Sequence, residues 1–215
     1  MADSAIAVTP GSGVNVDTRT QSNGDHRQVI CVGDQTGAQI VTVSANGELV
    51  VSQLDSAHAA SYSASGAATP SGSTTGQLFT IMGSASKLIR VTFVEVSLVA
   101  TTAAATILQL SKLSTATTGT ASAMTAVPHD SNDAAATASV NSYNAPTNGT
   151  VVGSPLRQVR AWAQNTTDIH YYTWTFTDRL SKGIALRGTT QGLSVVLNNA
   201  LTGCSINASF EWTEE

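Results

Sequence analysis

The residues Cys204-Ser205-Ile206-Asn207-Ala208-Ser209-Phe210-Glu211-Trp212-Thr213-Glu214-Glu215 alternate between apolar and polar side chains almost without a break. Cys204, Ile206, Ala208, Phe210 and Trp212 fall on one side; Ser205, Asn207, Ser209, Glu211 and Thr213 fall on the other. Successive side chains of a β-strand point to opposite faces, so this stretch predicts a strand with one buried and one wet face. It runs nearly to Glu215, so the chain is expected to end inside a sheet.

The same period recurs upstream. Tyr171 to Thr177 places Tyr172, Trp174 and Phe176 on one face. Gly183 to Arg187 and Leu193 to Leu197 follow, separated by Gly-containing turns. Leu88 to Val99 is a long strand whose phase slips at Phe93-Val94: Ile89, Val91 and Phe93 share one face, then Val94, Val96 and Leu98 do. A one-residue slip marks a β-bulge. Thr106 to Leu113 is the next strand, and the polar stretch Ser114 to Pro155 holds weak strands near 122–127 and 136–141. No segment carries a helical period. Many short strands joined by turns read as an all-β antiparallel β-sandwich, jelly-roll-like, over 77–215.

Two further zones precede it. Residues 1–55 read as a small β-unit and candidate anchor, with a strand over Arg27 to Val32 and a hairpin at 39–52 around Asn46-Gly47. Asn-Gly between β-rich runs is a strong hairpin signal because both residues tolerate positive φ. Residues 56–76 are rich in Gly, Ser and Thr and read as a linker, or as an arm that orders against a neighbouring subunit.

The 215 residues include only 11% charged ones, against about 25% in typical soluble domains. Ser, Thr, Ala, Gly and Asn fill the gap, giving a neutral, hydroxyl-rich surface suited to lying against other subunits. A net charge of −4 argues against nucleic-acid binding, which needs clustered Lys and Arg. Arg157 and Arg160 are the close basic pair, and in a strand they point to opposite faces. Met1 to Thr9 lacks the pattern of a secretory signal, and no apolar run is long enough to span a membrane as a helix. Cys204, on the apolar face, reads as a small buried hydrophobe; pairing with Cys31 stays open.

The search for chemistry is mostly negative. His26, His58, His129 and His170 are scattered without a second ligand at metal spacing. His129-Asp130 with Asn132 and Asp133 reads as an Asx-type turn before a cation site. Asp25-His26 has no nucleophile-elbow context to make a triad. Gly11-Ser12-Gly13 lacks the Lys of a phosphate loop. Asn148-Gly149-Thr150 and Asn165-Thr166-Thr167 match the glycosylation pattern by chance. Trp174 and Trp212 are expected in the core, and Trp162, among Arg160, Gln164 and Asn165, at an exposed or intersubunit position. No catalytic, cofactor or metal residues are assigned.

Ala7-Val8-Thr9-Pro10-Gly11-Ser12-Gly13 and Gln28-Val29-Ile30-Cys31-Val32-Gly33-Asp34 resemble the start of tailed-bacteriophage minor virion structural proteins. Pro128-His129-Asp130-Ser131, Asn144-Ala145-Pro146-Thr147, Ile184-Ala185-Leu186-Arg187-Gly188 and Phe210-Glu211-Trp212-Thr213-Glu214-Glu215 are similar to their body. The resemblance, to head-decoration or head-fibre proteins, implies a non-catalytic homotrimer that binds the major capsid protein or other virion proteins. It implies a virion location after assembly in the host cytoplasm. A second expectation is a tail-fibre or baseplate component that binds a host glycan through Trp162 and Tyr143. A third is a glycan hydrolase, with Asp130, Asp133, Asp168 and Asp178 as carboxylates.

Overall fold

The computed structural model describes residues 18–20, 26–28, 59–71, 74–163, 169–176 and 183–215. The chain divides into two units, Met1–Asp55 and Ser56–Glu215. In the first, β1 (Thr18–Thr20) pairs antiparallel with β2 (His26–Gln28), with Thr20 opposite His26. β2 overlaps the start of the strand expected from Arg27; the hairpin expected at 39–52 lies outside the described residues.

The second unit is built from β3 (Ala60–Ala68), β4 (Gly76–Met82), β5 (Ile89–Val99), β6 (Ala104–Leu113), β7 (Thr118–Ala123) and β8 (Val127–Pro128). It continues with β9 (Ser139–Thr147), β10 (Arg157–Ala163), β11 (His170–Thr175), β12 (Ile184–Leu186), β13 (Gly192–Leu197) and β14 (Ser205–Glu214). No helix occurs among the described residues. One sheet has the order β10-β6-β13-β4-β9-β7. The other has the order β11-β5-β14-β3-β8, with β12 continuing the β11 side of β5. All pairings are antiparallel, and the two sheets enclose one apolar core, so the unit is a β-sandwich. β3 pairs β14, β4 pairs β13, β5 pairs β11 and β6 pairs β10.

β14 shows why the sequence pattern was so sharp. It lies between β3 and β5, so its core face is buried along its length while its other face stays half-exposed. Ile206, Ala208, Phe210 and Trp212 all enter the core. Trp212 stacks on Tyr62 of β3 with ring centroids 5.7 Å apart.

The stretch 56–76, expected as a linker or arm, instead supplies β3, paired with β14 from Ala60↔Glu214 to Ala68↔Ile206. The sandwich therefore begins before residue 77. The alternation is present but small: Ala60, Tyr62, Ala64, Gly66 and Ala68 face inward, and Ser61, Ser63, Ser65 and Ala67 face outward. Small inward residues fit because Met124 fills the space. A Cβ on Gly66 would lie 2.7 Å from Met124 Cγ.

The bulge in β5 sits one residue earlier than expected. Glu211 opposes Phe93 and Trp212 opposes Val91, which leaves Thr92 as the extra residue. Phe93 consequently leaves the core face. Val94, Val96 and Leu98 keep it, as the sequence pattern required. The polar stretch after β6 yields β7 and β8, which overlap the two ends of the weak strand expected near 122–127, and β9, which overlaps the end of the one expected near 136–141.

Gln77 of β4 holds this polar stretch to the sheet. Its buried amide donates to Gly149 O at 2.9 Å and accepts from Gly149 N at 2.8 Å and from the Thr117 hydroxyl. Replacing Gln77 by Leu leaves these groups unpaired in the interior and should cost about 2–4 kcal/mol. A lower urea midpoint with unchanged slope checks this.

Candidate functional site

Glu214 closes the core face of β14, where the alternation of Ile206, Phe210 and Trp212 places it. Its carboxylate is almost wholly buried. Thr137 N donates to Oε1 and Oε2 at 2.9 and 3.0 Å, and Ala138 N to Oε1 at 3.0 Å. Thr137 Oγ1 donates to Oε2 at 2.7 Å, and Trp212 Nε1 to Oε1 at 3.1 Å. Lys87 Nζ lies 3.8 Å from Oε2. Burial pushes this carboxyl up, but the donated hydrogen bonds outweigh it and hold the pKa below the usual carboxylate value. Beside it, Tyr62 donates its hydroxyl to Ala134 O at 2.8 Å. Burial, then the charges of Glu214 and Asp133, push the phenol up. These contacts pin the loop before β9. The sequence reading passed over Glu214, although continuing the even-numbered face of β14 by one step would have placed it inside.

The other sequence candidates are mostly structural. Asp130 Oδ1 accepts from Asn132 N at 2.9 Å, and Asp133 N donates to Asp130 O at 3.0 Å, so this segment is the expected Asx turn. Asp168 and Asp178 lie outside the described residues, as do Asp25, His58 and Cys31. Among the described residues no group of His, Cys, Asp or Glu side chains could hold a metal ion. No helix there is long and apolar enough to cross a membrane. Asn148 Oδ1 accepts from Gln77 N at 2.9 Å, so the side chain of that glycosylation-like triplet is occupied by the fold. Cys204 is a buried free thiol, pushed up to about 11 by burial.

Among the aromatic residues, Trp212 and Trp174 are buried as expected. Tyr143, expected to face a glycan, is a correction: it is 5% exposed and donates its hydroxyl to Thr117 O at 3.1 Å. Its place in β9, facing the segment that Gln77 clamps, explains the burial. Trp162 is 47% exposed.

Trp162 belongs to a larger surface. Val151, Val152, Leu156, Trp162, Ile169 and Tyr171 are all exposed, and they lie on β10 and β11, the end strands of the two sheets, or in the segments that flank them. Val151 bridges Leu113, and Val152 N and Leu156 N each donate at 2.8 Å to carbonyls of β6. No described strand pairs the outer edges of β10 and β11. Trp162 N donates to Tyr172 Oη at 3.0 Å, tying one edge to the other. Exposed edge strands carrying large apolar side chains are sites for further association. Chemically the surface offers aromatic contact and the cations Arg157 and Arg160. Comparison with protein-family models, with characterised proteins and with solved structures finds no match.

Proposed function

We propose that this chain is a non-catalytic virion structural protein that binds the outside of a phage capsid and stabilises it. The observation that carries the reading is the apolar, edge-exposed side of a charge-poor sandwich from Val151 to Tyr171. The polar residues buried elsewhere, Glu214 and Gln77, serve the fold's own loops. Contacts made only in the assembled shell stabilise that shell by mass action. The N-terminal unit is the proposed anchor, the major capsid protein the proposed partner, and a homotrimer the proposed assembly. Heating particles with and without the added protein tests this. Release of the genome should shift to higher temperature when the protein is bound; an unchanged release temperature would count against it.

The exposure of Trp162 favours one second reading, a tail-fibre or baseplate component that grips a host glycan. Under the capsid reading, Trp162→Ala leaves host adsorption unchanged. An adsorption loss of tenfold or more would favour the glycan reading.

A further inference from the structure

The bulge at Thr92 turns Phe93 out onto the wet face of β5, directly opposite Glu211. Phe93 is half-buried and packs against no part of the core. Glu95 is the next outward residue of β5 and lies diagonal to Glu211, so two carboxylates flank one aromatic ring. Among the described residues the ion pairs are Lys87–Glu214 and Arg90–Glu215; neither Glu95 nor Glu211 is in one. Arg90, the cation on this face, lies 2.7 Å from Glu215.

The outward face of β10 carries the complementary set. Arg160 and Trp162 are two residues apart, so they share a face, and both are exposed. Arg160 is in no ion pair among the described residues. A two-fold contact between copies of β10 is disfavoured: Arg160 is the middle residue of Arg157–Ala163, so antiparallel self-pairing would set Arg160 against Arg160.

We infer that Trp162 and Arg160 of one copy dock onto Phe93, Glu95 and Glu211 of a second copy of this chain. The aromatic rings meet and the guanidinium lies between the carboxylates. Such a contact joins two different surfaces and is therefore heterologous, so it builds a ring where the rotation between copies closes and a longer assembly where it does not. Self-association is a property of the isolated chain, so it stands or falls separately from any attachment to a particle.

Sedimentation velocity on the full chain tests it. The wild type should sediment as an oligomer that dissociates as salt is raised. Arg160→Glu alone, and Glu95→Lys with Glu211→Lys, should each reduce it to the monomer. All three substitutions together should restore the oligomer, because every contact is then complementary again. Far-UV circular dichroism establishes that each variant is folded; Trp162→Ser, which adds no charge, should also give monomer. A monomeric wild type, an oligomer indifferent to either reversal, or a triple variant that stays monomeric would overturn the inference.

Discussion

Glu214→Ala should lower the Tm of the sandwich by roughly 6–12 °C. The substitution leaves Thr137 N, Ala138 N and Trp212 Nε1 without their acceptor, the indole in the core and the two backbone groups part-buried. Each such buried donor costs about 1–3 kcal/mol, so the sum is on the order of 3 kcal/mol or more. For a domain of this size, 1 kcal/mol moves Tm by about 2–4 °C. The pH dependence has a definite sign. The carboxyl's folded pKa lies below its unfolded value of about 4.3. Its contribution is therefore fully present above that unfolded value and is lost as pH falls through the folded pKa. Calorimetry from pH 7 downward should show the wild type losing Tm below about pH 4. In Glu214→Gln this acid-dependent part should be missing from an already lower baseline. An equal acid loss in wild type and variant would contradict the role given to Glu214.

Trp212→Ala should cost about 3–5 kcal/mol, the usual range for truncating a buried Trp. The ring is fully buried on the central strand of its sheet, stacks on Tyr62 and donates to Glu214. Trp212→Phe keeps the packing and loses the N–H, so it should cost less, about 1–3 kcal/mol. The effects of Trp212→Phe and Glu214→Ala should not add, because both remove the same hydrogen bond. Urea unfolding of the singles and the double reads this directly. Strict additivity would mean that the Trp212–Glu214 bond does not contribute.

The parts of the fold that were legible are those written in large side chains. In β14, Phe210 and Trp212 made the period unmistakable, and Tyr172 and Trp174 did the same for β11. β3 was missed because its inward row is Ala, Gly and one Tyr. The same composition describes a flexible arm, and only the close approach of Met124 to Gly66 explains why a strand needs it. The bulge in β5 was visible as a change of phase, but its position depends on which residues β14 selects as partners. That choice reverses the side on which Phe93 lies. Tyr143 could be placed only once the clamp of Gln77 on Gly149 was known, since its burial comes from distant segments. Trp162 was legible because its sequence neighbours Arg160, Gln164 and Asn165 are polar. The apolar edge around it was not, because it gathers residues from loops and strands that only the sheet order places at the ends of the sheets.

The proposed attachment to a phage head is tested most directly by immunogold electron microscopy of purified virions with an antibody against this chain. The account predicts regular label over the head. Label confined to the tail, or none on any particle, would contradict it.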